Sequence, residues 1–376
     1  MALNTRAVKE TGTKTKKAEI REQYKKFIGR KIIFIFSCII LILVIAGVAA
    51  TLGSYPITVK EVYSIIWHGL FQDPETTKEI VVWNLRLPRI VMGVLAGVGL
   101  AIAGTMMQGI LRNPLASPYT LGISSGAGFG AVLAICLGAG VVGGKYLIIG
   151  NAFLFALIPT FIIIALSRYK RATPETMILA GIAMMYIFSA LTHLINYFAE
   201  SEAVKEAYFW MVGSLGRVSW SELTYHVNIG EASIPLPGPV PVVLICCVIP
   251  LVWKSWDVNV MGAGDETAKS LGVNVERTRI LIMVVASLLT AGIVCFTGTI
   301  GFIGLVAPHI CRMIIGGDNR FLIPASGLFG GAFLLACDLI ARTIMAPVIL
   351  PVGILTAITG GPFLFFLLIR RKKEYF

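Results

Sequence analysis

Residues 86–134 read RLPRIVMGVLAGVGLAIAGTMMQGILRNPLASPYTLGISSGAGFGAVLA. Ile90 to Leu111 carries no charge between Arg89 and Arg112, a length that takes a helix once across the hydrocarbon core of a bilayer. Beyond the short loop around Asn113 a second uncharged run opens near Leu121. Its Gly122, Gly126 and Gly130 recur at i, i+4, i+8, the small-residue spacing that lets helix backbones approach where lipid offers no hydrophobic drive between helices. The stretch therefore reads as two neighbouring membrane spans.

Outward from it the same pattern repeats. The 376 residues are 56% hydrophobic and 14% charged, with a mean hydropathy of +0.83, whereas soluble domains run at roughly 25% charged. Uncharged runs predict ten spans, over residues 32–52, 90–111, 121–137, 146–166, 177–197, 239–253, 280–299, 301–315, 323–345 and 354–369. The run from Ile280 to Ile310 is too long for one crossing and short for two, so it is divided at TGTIGFIG, residues 297–304. Gly93 and Gly97, and Gly327 and Gly331, add further small-residue pairs and point to a tightly packed bundle. The fold expected is an all-α integral membrane protein of ten transmembrane helices. A basic tail (1–31) precedes a membrane domain (32–369) that holds a polar segment at about 256–279, and a second basic tail (370–376) follows.

The N-terminal tail has ten Lys or Arg, and Ile32 to Val59 follows without a charge. A secretory signal is the competing reading, but the apolar stretch is too long and lacks a convincing small-residue cleavage site, so an uncleaved first span is expected. With both termini in the cytoplasm, most of the 32 basic residues fall on inner segments, as the positive-inside rule requires. Inner-leaflet electrostatics thus accounts for the net charge of +12. No basic face with interleaved aromatics argues for nucleic acid.

Chemistry-bearing motifs are scarce. The nearest approach to a phosphate loop, AGVVGGKY at Ala139 to Tyr146, lacks the first Gly and the final hydroxyl, and falls on the expected outer side. His68, His193, His226 and His309 have no ligand spacing, and the seven cysteines sit in apolar segments without CxxC pairs. No enzyme site and no bound cofactor or metal is expected. Within the spans, Asp338 and Arg342 stand out; at i, i+4 they share one helix face and can neutralise each other. A gradient-driven secondary transporter coupled through Asp338 is the alternative of another class, as thin as its single acid. A scaffold or signalling membrane protein is a third.

Several motifs carry a resemblance. Residues 86–134, WMVGSLGRVSW (210–220), GDETAKSLGVNVERTR (264–279), TGTIGFIGLVAPHICR (297–312), ACDLIARTI (336–344) and LPVGILTAITGGPFLFFLL (350–368) together resemble the permeases of the iron-siderophore, haem and cobalamin uptake family of ABC transporters. The resemblance implies the type II importer permease fold of ten helices, paired with a second permease subunit in a homodimer or paralogous heterodimer. It further implies two cytoplasmic ATPase subunits that use ATP and Mg, an external substrate-binding protein, and a metal chelate as cargo. It points to the cytoplasmic membrane of a prokaryote. A ferric siderophore is the expected chelate, with haem or cobalamin as alternatives.

The resemblance also assigns residues. Arg86, Arg89 and Arg342 match outer arginines that meet acidic residues of the binding protein; a fixed cation at a rim steers an acidic partner, although snorkelling or pairing with Asp338 would also place them there. Gly264, Asp265, Glu266, Ala268, Leu271 and Gly272 match the coupling helix that presses into the ATPase, and the composition independently predicts a short helix ending at Leu271 with Gly272 as its stop. Asn113 and Leu115 match one inner gate, and Thr173, Pro174, Glu175 and Thr176 the other. There Pro174 and Glu175 stand where the family often has small hydroxyl residues. Residues 203–215 look like a short helix at the outer mouth.

Overall fold

The computed structural model describes residues 2–53, 55–69, 72–169, 173–229 and 232–370. Helix α1 (Ala2–Thr51) is continuous through the basic N-terminal tail and the first span. After it come α2 (Val59–His68) and α3 (Thr77–Ile80), each started by a threonine capping box, Thr58 with Glu61 and Thr76 with Glu79, which satisfies the free N–H groups of a short helix. A π turn over Val81–Arg86 leads into α4 (Leu87–Leu111). A 3-10 turn (Pro118–Leu121) precedes α5 (Ile123–Leu137), then α6 (Leu147–Tyr169), α7 (Pro174–Phe198) and α8 (Ser201–Val212). Next are α9 (Trp220–Leu223), strands β1 (Thr224–Ile229) and β2 (Ala232–Pro237), α10 (Pro239–Trp253), α11 (Ser255–Met261) and α12 (Asp265–Ser270). The chain finishes with α13 (Val275–Thr297), α14 (Ile303–Ile315), α15 (Asn319–Thr343) and α16 (Val352–Arg370). The expected C-terminal tail lies, beyond Arg370, outside the described residues.

Among the described residues, six helices are long and apolar enough to cross a membrane, or seven if α10 and α11, bent by 48°, form one broken span. Three shorter apolar helices lie at residues 123–137, 303–315 and 352–367. Each falls over one of the ten segments read from sequence, and the division at residues 297–304 is a real break between α13 and α14. At that break Phe302 takes a left-handed conformation, φ 68°. The hairpin β1–β2, in the register Thr224↔Pro237 to Ile229↔Ala232, was not legible in the sequence, because Pro235 and Pro237 spoil a strand pattern.

Helix α4 is the axis of the bundle: 78% of its apolar stretch is buried, against 22% for α7 and 11% for α1. Its small residues explain this. A Cβ on Gly104 would lie 1.8 Å from the carbonyl oxygen of Gly304, and one on Gly97 2.4 Å from that of Gly330, so α14 and α15 touch α4 backbone to backbone. Helix α8 ends against the α13–α14 break, where Ser214 N donates to Thr297 O at 2.7 Å and the Thr299 hydroxyl donates to Met211 O. Because α4 has 25 residues, its two ends are separated by roughly 38 Å, at 1.5 Å per residue. One end carries Arg86, the other faces Asp265.

Candidate functional site

At the Arg86 end, the arginines expected at a rim are turned inward. Arg86, Arg89 and Arg342 are 4%, 8% and 5% exposed, and Asp338 is 0% exposed. Arg89 donates from Nη2 and Nε to Asp338 Oδ1 at 2.7 and 3.0 Å, and from Nε to Oδ2 at 3.1 Å. Arg342 Nε sits 3.1 Å from Asp338 Oδ2, close enough for charge attraction though not aimed for a hydrogen bond, while its Nη2 donates to Ala49 O at 3.3 Å. The local pairing of Asp338 with Arg342 is therefore present, but Arg89 makes the tighter contact. Arg86 donates to the carbonyls of Ala50, Thr51 and Tyr55 at 2.7, 3.0 and 2.6 Å, capping the end of α1 with the fork of one guanidinium. The reason these side chains face inward is convergence: α1, α4 and α15 end together, and buried carbonyls and a carboxylate need donors. Three guanidiniums against one carboxylate leave this cluster strongly positive.

Trp83 and Trp220 brace the same end. Trp220 Nε1 donates to Trp83 O at 2.6 Å, Trp83 Nε1 donates to Ile65 O at 3.0 Å, and the two rings lie 6.3 Å apart. Residues 201–212 form α8, close to the short helix read over 203–215.

At the opposite end the segment 264–272 has the expected form. Helix α12 starts at Asp265 after Gly264, whose φ of 113° suits glycine, and stops at Leu271 before Gly272, φ 86°. Ala268 is fully buried beneath it, whereas Leu271 is 67% exposed. Glu266 is also exposed. Asp265 faces back into the bundle: Arg279 Nη2, on α13, is 3.0 Å from both carboxylate oxygens, and Arg112 Nη2 is 3.2 Å from Oδ1. Arg279 Nε also donates to Ile110 O at 3.3 Å, and the residue is 3% exposed.

The residues expected at the inner gates begin with Asn113, directly after Arg112. Arg112 ends α4 in a left-handed conformation, φ 47°, and Asn113 N donates to Gln108 O at 3.2 Å, the backbone pattern that closes a helix C-terminus. Asn113 Oδ1 then accepts from Leu115 N at 3.0 Å, a turn that fixes the loop. On the second loop Thr173 caps α7, its hydroxyl accepting from Thr176 N at 3.3 Å, with Pro174 in the first turn. Glu175 is within electrostatic reach of Arg112 and Arg279. A Cβ on Gly181 of α7 would lie 2.5 Å from Thr120 O, so the second loop's helix packs on the turn that follows the first. The loop of Asn113 and Leu115 thus adjoins α12, and the turn that follows it packs on α7, the helix that Thr173 caps.

Helix ordering of this kind, with a short polar helix beside two loops at one end and a break opposite α8, coincides with a match to the model of the FecCD transport family over residues 39–370. This chain belongs to that family. It is 34% identical to the hemin transport system permease protein of Yersinia pestis, over 89% of this chain and 95% of the relative. It is 41% identical to the cobalamin import system permease protein of Halobacterium salinarum, over 81% and 76% respectively. A solved structure described as of the metal-chelate ABC transporter type, in an inward-facing conformation, superposes with a TM-score of 0.75 at 28% identity, covering 90% of this chain and 99% of its own. The protein is a multi-pass membrane permease of the ABC class, whose ATPase is a separate subunit.

Besides Arg89 on Asp338, several charged contacts escaped the sequence reading. Arg112 and Arg279 meet on Asp265 as described. Arg312, inside the eighth segment, donates to Gln108 Oε1 at 3.0 Å across α14 and α4. Lys31 reaches Asp318 at 3.7 Å, and Asp318 also accepts from Asn259 Nδ2 at 2.9 Å. The sole signal available for Arg112 was its position as the first charge after a long uncharged run.

Proposed function

We propose that the chain is the permease subunit of an importer that carries a metal chelate, of the ferric siderophore class, inward across the cytoplasmic membrane on ATP hydrolysed by its partner. The observation that carries this reading is the Asp265 end: a six-residue helix with an exposed Leu271, joined through Asp265 to the start of a gate loop. A short helix pressed into a partner's groove transmits closure of that partner into helix tilting. The excess of basic residues on this side, read with the positive-inside rule, supports a cytoplasmic position for it and for both termini. Two ATPase subunits then meet α12 of this chain and of a second permease subunit, identical or paralogous.

The Arg86 end faces outward in this reading. Since Arg86, Arg89 and Arg342 are buried, they act on an external binding protein by the net positive field of their cluster, steering its acidic surface. Haem and cobalamin remain the alternatives within the same chemistry. A gradient-driven carrier fares worse, because the oxygens of Asp338 are engaged by Arg89 and Arg342.

The test is uptake by proteoliposomes. The purified chain alone is expected to bind no nucleotide, and addition of the cognate ATPase and binding protein to give ATP-dependent uptake; transport at full rate without the ATPase would sink the reading. Binding of a ferric siderophore, haem and cobalamin to the purified binding protein selects among the cargoes.

A further inference from the structure

Helix α12 is held to the rest of the bundle by few groups. Its two ends are glycines in the left-handed region, Gly264 and Gly272, where the backbone turns without side chains to stiffen it. Only Ala268 is buried along the helix. What ties it laterally is Asp265, whose carboxylate lies between Arg279 and Arg112 at 3.0 and 3.2 Å. Arg279 is itself anchored on Ile110 O, in the last turn of α4. Arg112 is the residue immediately before Asn113, and it is one of two described non-glycine residues with a left-handed backbone. Such a conformation persists where the surroundings hold it; here the ion pair to Asp265 is one of those holds.

We propose that Asp265, clamped by Arg112 and Arg279, is the positioning residue that carries displacement of α12 to the gate loop beginning at Asn113. The proposal rests on the reading of α12 as the ATPase contact. Glycine hinges on both sides let α12 shift as a short rigid piece, and the chain through them transmits little torque. The carboxylate fork instead moves the Arg112 guanidinium, and with it the C-terminus of α4 and the turn made by Asn113 and Leu115. Arg279 keeps Asp265 in register with the same turn of α4, so the displacement is directed at the loop and not dissipated along α13.

The experiment uses the full complex of permease, cognate ATPase and binding protein in nanodiscs, with spin labels at Leu115 and Lys269 and trapping by ATP and vanadate as the probe. Arg112→Asn is the decisive variant, since asparagine tolerates the left-handed backbone while losing the ion pair. Its ATPase is expected to co-purify as in the unaltered complex. Trapping should still move the label on α12, but the fraction of complexes with a displaced Leu115 label should fall about tenfold, a typical coupling loss. Asp265→Asn should do the same, and Asp265→Glu should restore much of the displacement, which a merely structural role would not distinguish. Full Leu115 displacement in both Arg112→Asn and Asp265→Asn overturns the proposal. Leu271→Glu separates the two readings: if it leaves ATPase co-purification intact, the assignment of α12 itself falls, and the proposal with it.

Discussion

Arg89 and Asp338 stand 249 residues apart in the chain, yet Arg89 Nη2 lies 2.7 Å from Asp338 Oδ1 with neither group open to solvent. The pair joins α4 to α15 where those helices end beside α1, and Arg342 approaches the other oxygen at 3.1 Å. A buried carboxylate between two guanidiniums is a point where removing one member leaves an uncompensated charge.

Asp338→Ala should therefore lower stability by about 3–5 kcal/mol, because Arg89 and Arg342 would face each other unneutralised. Replacing Arg89 and Asp338 together by leucine should cost less than the single change. Thermal denaturation in detergent, followed by tryptophan fluorescence, measures both; equal cost for the single and double variants would contradict the pairing.

Arg86→Lys tests the cap on α1. One guanidinium satisfies three carbonyls, those of Ala50, Thr51 and Tyr55, and an ammonium on a flexible stem cannot span them. A loss of about 1–3 kcal/mol is expected from the stranded acceptors. The same melts report it, with proteolysis of the residue 52–58 loop as a local readout.

Gly104 and Gly29 form a contrasting pair. Gly104→Val places side-chain carbon where the Gly304 carbonyl stands, and backbone cannot yield as a side chain does, so the variant should lose about 3 kcal/mol or more, or fail to accumulate. Gly29 has nothing within 4 Å of its would-be Cβ, and Gly29→Ala should be neutral or raise stability by up to about 1 kcal/mol through helix propensity. Expression level and melting temperature decide.

Asp318 sets an acid limit on the Asp265 end. Hydrogen bonds from Arg320, together with Asn259, hold its carboxyl down at about 2. A depressed carboxyl contributes stability that is complete above the ordinary aspartate value of about 4 and is lost as pH falls towards 2. The melting difference between the unaltered chain and Asp318→Asn should hence be flat between pH 5 and pH 8 and shrink below about pH 4. Asparagine keeps the cap on α15, so the difference isolates the charge.

Much of this architecture was legible one residue at a time. The bilayer demands about 20 apolar residues per helical crossing, and Ile90 to Leu111 meets that demand by itself. Gly272 marked the end of α12 because a glycine can take the left-handed turn that stops a helix. Gly97 announced close approach without naming its partner, and Gly104, which makes the tighter contact, gave no such signal. The β1–β2 hairpin and the break between α10 and α11 stayed hidden, since prolines at 235, 237 and 250 read equally as loop or as helix interior.

What the sequence by itself determined is the helical membrane class, the position of the apolar segments, the polar segment between α11 and α13, and the uneven distribution of basic residues, all of which follow from local length and composition. Only the tertiary structure decided which charges meet. Arg86, Arg89 and Arg342 sit at span ends, and a span end can turn outward to a rim or inward to a neighbour. The direction is set by α15 packing on α4 through Gly97 and Gly330, which puts Asp338 within reach of Arg89. Likewise Arg112, Asp265 and Arg279 come together because α4, α12 and α13 converge at one end, a contact whose energy belongs to all three elements and whose trace is absent from any single one.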